Sequence, residues 1–299
     1  MLDLSNDSYK DNSGGASPNF TPMTTQQAKQ KAYNLYVNRV PPTLEKAVDY
    51  LSVGGVMTAA QLGFTSRSFR NHAKTRVADR LPYETDEIAQ RFDEYSLPLP
   101  DDRESLSLYA LGPVGIEMAK MRYEIDPPTG YIAYTLDRIM HDVVVNELVL
   151  RIGKLAKIHG WTPIWVGEQE AALYKENHQI LKPDALVRLH KDDQERLYLI
   201  EYHNEDKSTR ALEKVQIYER AYNSDLWRQI WNTDEFPLVL ASFRKPVVGR
   251  GYKDGVEDRN SVHCQFCGRS LSSVLSDLDE WYNFTIGKRE RVWPWSEQE

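Results

Sequence analysis

Apolar positions along the chain change period several times, and each change marks an element. Leu44, Ala47, Val48 and Leu51 recur at three- and four-residue spacing, which predicts a helix over 43–51. Gly54-Gly55 breaks it. Thr58 then caps Ala59-Ala60-Gln61-Leu62, and Gly63 ends that short helix. Thr65 or Ser66 caps a third segment over 67–81. A short helix, a glycine turn and a basic helix follow one another as in a helix-turn-helix. Arg67, Arg70 and Lys74 share one face of the third segment, with Arg76 further along. Such a face can meet phosphates and base edges.

The stretch 84–104 breaks the pattern, with eight acidic residues against two arginines and with Pro98 and Pro100. It reads as an exposed insertion or linker. A strand over 105–111 follows and fits the wing of a winged helix. Pro127-Pro128-Thr129-Gly130 marks a domain boundary. Beyond it, Leu136, Ile139, Met140, Val143, Val144, Leu148 and Ile152 predict a long helix that ends at Gly160. Strands are predicted over 161–166, 184–189 and 196–202, with a hairpin turn at 191–194. A helix over 209–222 and a strand over 238–243 complete the run. The order is helix, three strands, helix, strand, and the fold class is mixed α/β (α+β).

Within that run, Pro183-Asp184 opens one apolar strand and Glu201 closes the next. A hairpin brings the two carboxylates together at one end of the strands. A pair of carboxylates with open water positions suits a hard cation, Mg²⁺ or Mn²⁺. Such an ion can polarise a phosphodiester and activate water.

Composition narrows the reading. The chain has 299 residues, 27% of them charged, and a net charge of -7. Nucleic-acid contact therefore requires a local basic face. Residues 1–34 read as a flexible tail, 35–126 as a helix-turn-helix domain, and 131–299 as a second domain with a C-terminal helical extension. No apolar run reaches the roughly 18 residues of a membrane span. No leader is evident and no membrane partner is expected, so the chain reads as cytoplasmic. His263, Cys264 and Cys267 lie close together, but zinc takes four ligands and no second cysteine pair exists. Zinc is therefore disfavoured against two buried thiols.

With Pro183-Asp184, Glu201 and the element order in place, the second half resembles the PD-(D/E)xK nuclease superfamily, whose core is an αβββαβ sandwich. The resemblance covers 135–243. It implies catalytic roles for Asp184, Glu201, His203 and Lys214, and metal ligation by Glu147, Asp184 and Glu201. Glu168 and Glu170 are further possible ligands. Lys214 and Tyr218, four apart, match a helix of related exonucleases in which Gln stands where Lys214 is. The motif's lysine is replaced by His203, and Lys214 could supply the missing cation. His141 reads as a helix residue with a local hydrogen bond.

Both halves together resemble the replication-relaxation proteins of plasmids and other mobile elements, which join a winged helix to a divergent nuclease-like domain. The resemblance rests on Met57-Thr58-Ala59-Ala60-Gln61-Leu62, Tyr109-Ala110-Leu111-Gly112-Pro113-Val114-Gly115, His141 before Val143-Val144-Val145-Asn146, Pro183-Asp184, Leu199-Ile200-Glu201-Tyr202-His203, and Lys214 with Tyr218. It implies DNA as a partner, together with other replication or mobilisation proteins, and a homodimer is compatible with it. Two functions stay open: a metal-dependent endonuclease, and a DNA-binding factor that keeps the sandwich as a scaffold.

Overall fold

A computed structural model describes residues 23–64, 74–258 and 263–298. Helix α1 (Thr25–Val37) starts at a capping box, in which Thr24 and Gln27 satisfy each other's backbone N–H groups. Residues 25–34 therefore belong to a helix and not to a tail. Its polar composition conceals it, because Ala28 and Ala32 are the residues it buries. Helix α2 (Pro42–Gly54) buries the Leu44, Ala47, Val48 and Leu51 stripe.

Strand β1 (Val56–Thr58), helix α3 (Ala59–Leu62), strand β2 (Ala78–Arg80), helix α4 (Thr85–Glu94), strand β3 (Leu108–Leu111) and helix α5 (Pro113–Tyr123) follow. The strands form an antiparallel sheet of order β1-β3-β2, with α1 and α2 packed on α5. The helix expected over 67–81 is not continuous to its end. Arg76 has φ 59°, and Ala78–Arg80 is a strand. A positive φ at a residue with a side chain ends the helical turn.

The acidic stretch 84–104 is not an exposed linker. Ile88 and Phe92, four apart on α4, are buried, as are Tyr95 and Leu97. They join the cluster that contains Ile139 and Val143. An amphipathic helix carries its charge on one side and its few apolar residues on the other.

Helix α6 (Leu136–Ile158) begins at Thr135, whose hydroxyl accepts the Arg138 N–H, and closes before Gly160 at φ 76°. Then come β4 (Thr162–Gly167), the hairpin β5 (Leu173–Lys175) and β6 (His178–Leu181), β7 (Ala185–Lys191), β8 (Gln194–His203), α7 (Thr209–Asn223), α8 (Leu226–Ile230) and β9 (Leu238–Phe243). The chain continues through α9 (Pro246–Glu257), β10 (Phe266–Ser270), α10 (Leu271–Ser276), β11 (Glu280–Asn283) and β12 (Lys288–Arg291). The C-terminal part is thus not a helical extension: three of its strands widen the main sheet.

That sheet has the order β12-β11-β10-β9-β8-β7-β4. β4, β7 and β8 form an antiparallel meander, and β9 and β10 run parallel to β8. Alternation along the strands divides the interior. Val187, Tyr198, Ile200 and Leu240 join the cluster containing α6. Leu186, Leu199, Val239 and Ala241 join the cluster containing α7 and α9.

Helix α6 is buried on several sides because it lies between the main sheet and the N-terminal half. One apolar cluster runs from Val56, Leu106 and Leu108 to Val143 and Leu148, across Pro127–Gly130. The buried Asn146 amide donates to the carbonyls of Gly54 and Val56 at 2.9 and 2.6 Å. Between those residues, Gly55 has φ 68°, and a Cβ there would stand 1.7 Å from the Tyr131 hydroxyl. Among the described residues, no helix is long and apolar enough to cross a membrane.

Candidate functional site

The site lies where β7 begins and β8 ends. Asp184 precedes β7, so the ladder has no strand residue there to take the Tyr202 N–H. The Asp184 carboxylate takes it instead, with Oδ2 accepting at 2.7 Å. In turn the Asp184 N–H donates to the Ile200 carbonyl at 3.2 Å. Proline at 183 and aspartate at 184 thus close the sheet end with a side chain.

Glu201, only 1% exposed, faces α7. Lys214 and Tyr218 stand four apart on that helix and meet it together. Lys214 Nζ lies 2.8 Å from Oε1 and 2.7 Å from Oε2, and the Tyr218 hydroxyl donates to Oε1 at 2.7 Å. Burial works against the Lys214 charge, but Glu201 and Asp184 outweigh it and raise its pKa. Burial, with Asp184 nearby, raises Glu201 above the usual carboxylate range despite Lys214.

His141, on α6, approaches from the opposite face. Its Nε2 lies 3.2 Å from the Tyr202 carbonyl oxygen and 3.4 Å from Asp184 Oδ2. Its Nδ1 lies 3.5 Å from Asp142 Oδ1. Every polar neighbour of the ring is an acceptor, which suits an imidazolium with both nitrogens protonated. Partial burial opposes that charge, and Asp184 and Asp142 overcome it, holding the imidazole well above its ordinary pKa. Burial likewise opposes ionisation of Asp184, yet His141 and Lys214 hold its carboxyl well below the usual range.

The other expected residues are placed differently. Glu147 is not a partner of Asp184 and Glu201. Arg151 Nε donates to its Oε1 at 2.7 Å, and the Gln61 amide reaches its Oε2 at 3.3 Å. Glu147 lies six residues, or about 9 Å of helix rise, beyond His141, and His141 is the α6 residue that reaches the site. His203 is 2% exposed, with Nε2 at 2.7 Å from the Tyr252 hydroxyl and Nδ1 at 3.2 Å from Glu205 Oε2. Both His203 nitrogens are engaged. The cation paired with Glu201 is Lys214.

Glu168 pairs with Lys182 at 2.9 Å and shares with His141, Asp142 and Asp184 a cleft of about 30 Å³. Glu170 is exposed and lies in an adjoining cleft of about 230 Å³ with Ser52, Asp126 and Gln169, which Glu168 also lines. Partial burial raises the Glu170 carboxyl pKa.

The donor set tests whether a resident Mg²⁺ or Mn²⁺ fits. Both Glu201 oxygens are held by Lys214, one of them also by Tyr218, and Asp184 Oδ2 is held by Tyr202 N–H and His141. No group of three His, Cys, Asp or Glu side chains able to hold a metal ion occurs among the described residues. In this arrangement the residues do not fit a resident divalent ion.

The cysteines do not converge either. Cys264 belongs to the cluster on the α7 side and Cys267 to the cluster on the α6 side of the sheet. The Cys264 thiol donates to the Tyr218 carbonyl and the Cys267 thiol to Glu290. Burial pushes both thiols well up. His263 stacks on Tyr222 at 4.8 Å between ring centroids. One zinc ion cannot take ligands from both faces of a sheet.

Of the basic face, Arg67 and Arg70 lie outside the described residues. Lys74 is exposed. Arg76 is not a free cation for phosphate: Asp79 clamps its guanidinium with contacts of 2.8 and 2.7 Å.

Residues not singled out from the sequence complete the site's rim. The Asn204 amide donates to the Tyr95 hydroxyl at 2.7 Å, and Arg244 lies 4.5 Å over the Tyr95 ring. The segment after α4 thus docks beside the end of β8. A Tyr two residues before an apolar Leu in a charged stretch was the available signal, and it is a weak one. Compared with known proteins, the chain matches no family model, no curated protein and no solved structure.

Proposed function

We propose that this chain is a DNA-binding factor of a plasmid or other mobile element, of the replication-relaxation type, acting in replication, relaxation or mobilisation. In this reading the N-terminal half is a winged helix. The antiparallel sheet of order β1-β3-β2, with α3 leading toward the basic segment ahead of β2, supports it. The second half is a PD-(D/E)xK-like sandwich, supported by the succession of α6, β4, β7, β8, α7 and β9 and by Asp184, Glu201, Lys214 and Tyr218 at one sheet end.

The observation that carries the choice between scaffold and nuclease is the internal neutralisation of both carboxylates. Lys214 and Tyr218 hold Glu201, while His141 and the Tyr202 N–H hold Asp184. A buried carboxylate that already has a cation partner gives up that pairing before it can serve a metal. The sandwich therefore acts as a rigid platform for the DNA-binding half and for other replication or mobilisation proteins.

The test is a pair of assays on the full chain and on Asp184→Asn. The first incubates supercoiled plasmid and single-stranded DNA with Mg²⁺ or Mn²⁺. The second measures DNA affinity across salt concentrations. Equal binding by both proteins, weakening steeply with salt, and no nicking are expected. Metal-dependent nicking that disappears in Asp184→Asn would overturn the scaffold reading in favour of an endonuclease. Affinity with no salt dependence would overturn DNA binding itself.

A further inference from the structure

The hairpin of β11 and β12 stands at one edge of the seven-stranded sheet. Residues 285–289 at its tip are all exposed, and Ile286 is 50% exposed. The tip is nonetheless fixed in shape. The Asn283 side-chain oxygen accepts the Thr285 and Ile286 N–H groups at 2.9 and 3.2 Å, and the Gly287 N–H donates to the Asn283 carbonyl at 2.9 Å. Gly287 has φ 69°, a backbone that favours glycine. Strand register sets Arg289 opposite Tyr282 and Lys288 opposite Asn283. The Tyr282 hydroxyl lies 3.8 Å from where a Gly287 Cβ would stand, so it reaches the tip as well. The strand's one acid, Glu290, is drawn inward. The Asn283 amide donates to its Oε1 at 2.6 Å, and the Cys267 thiol lies 3.6 Å from the same atom. Lys288 and Arg289 form no ion pair among the described residues.

One aliphatic side chain, one hydroxyl and two cations on a narrow, fixed ribbon match the minor groove of a DNA duplex. That groove is about 6 Å wide, room for a single side chain, with a row of phosphates on each border. Minor-groove proteins insert apolar wedges between base steps, and Lys, Arg and Tyr side chains position them on the backbone. A second copy of this edge is a poor occupant, because it would bring like charges together. We propose that the β11–β12 tip is a second contact on duplex DNA, with Ile286 in the minor groove and Lys288, Arg289 and the Tyr282 hydroxyl on flanking phosphates. This rests on the DNA-binding reading of the chain and adds a distance to it. Helix α2 packs on β4, the opposite edge of the sheet. Six strand spacings of about 4.8 Å separate β4 from β12, about 29 Å in all. One turn of B-DNA is about 34 Å. The chain would hold a duplex at two places about a turn apart, and gain avidity only where the duplex reaches both.

The experiment measures affinity by fluorescence anisotropy across salt concentrations, on a duplex of about 10 base pairs, one helical turn, and on one of about 30. The native full chain is compared with Lys288→Ser/Arg289→Ser, Ile286→Ser and Arg67→Ser/Arg70→Ser. Removing two phosphate contacts should weaken binding of the long duplex at least about tenfold and lower its log–log salt slope by about 1.8. Binding of the short duplex should not change. Arg67→Ser/Arg70→Ser should weaken both. Ile286→Ser should keep the native salt slope and lose the kink, about 20° or more, read as end-to-end energy transfer on the long duplex. The substituted hairpin side chains are exposed, and thermal melts establish that each variant folds.

The proposal is overturned if the native protein binds DNA and Lys288→Ser/Arg289→Ser keeps the native affinity and slope on the long duplex. It is also overturned if that variant weakens both duplexes equally, or if it loses binding to phosphatidylserine vesicles and none to DNA. A native protein that binds neither duplex would end the DNA-binding reading and the second contact with it.

Discussion

Replacing Lys214 by methionine removes the cation from the Glu201 pair and leaves most of the side-chain volume. Lys214 is 13% exposed and Glu201 1%, so solvent cannot take over the pairing. Breaking a buried pair from one side costs about 3–5 kcal/mol, because the remaining charge is left without a partner. The Tyr218 hydroxyl still donates to Oε1, which places the expected loss near the lower end, about 3 kcal/mol. For a chain of this size each kcal/mol lowers Tm by roughly 2 °C, so a drop of about 6 °C is expected by calorimetry. Glu201→Gln in the Lys214→Met background removes the uncompensated charge and should restore most of the loss. A double-mutant cycle then reports a coupling of about 2 kcal/mol or more. The reasoning fails if Lys214→Met melts within about 2 °C of the native protein. It fails equally if the two substitutions simply add.

Three further outcomes are expected. His141 has a raised pKa in the folded protein, so its contribution to stability is fully present below about pH 6.5, the ordinary imidazole value, and is lost as pH rises through the folded pKa. His141→Gln should abolish that part of the pH dependence in denaturant titrations from pH 6 to 9; an unchanged profile would show that Asp184 and Asp142 do not hold the ring charged. Phe92→Ala removes a buried ring from α4 and should cost about 3–5 kcal/mol in chemical denaturation. Deletion of 84–104 should therefore unfold the chain; a deletion variant that melts like the native protein would contradict this. Asn146→Ala strips two carbonyls of their donor. It should cost about 2–4 kcal/mol by the same measurement, and a loss below about 1 kcal/mol would show that those carbonyls find other partners.

The part of the site carried by local pattern was legible before any coordinates. Strand periodicity places Pro183-Asp184 and Glu201 at adjoining strand ends, and helix periodicity puts Lys214 and Tyr218 on one face, while the resemblance to an exonuclease helix is what singled that pair out. The β5–β6 hairpin was not anticipated, because its turn is Glu176-Asn177, both at positive φ, and carries no glycine to announce it. Helix α4 was hidden by the opposite problem: its acidic majority masks an apolar face only two residues wide. Misplacing Glu147 and underrating His141 share one cause. Periodicity shows that both lie on α6 but not which of them meets a strand end some sixty residues away in sequence. The pairing of Asp184 with Tyr202 N–H decides that, and it is a tertiary fact.

Gln61 has a second consequence. Its side chain completes the cap of α3 by accepting the Thr58 N–H, and the same amide donates to the Val143 carbonyl and reaches Glu147 on α6. Glu147 is held by Arg151, which also donates to the Leu275 carbonyl beside the C-terminal strands. Helix α3 is thus pinned to the central helix and, through it, to the segment beside the C-terminal strands. Such a linkage works as a fixed bracket and not as a hinge. A duplex gripped by the basic segment would present one constant side to whatever docks on the sandwich. If the chain binds DNA as proposed, the orientation of an assembly on it would then be set by a glutamine six residues ahead of the basic segment.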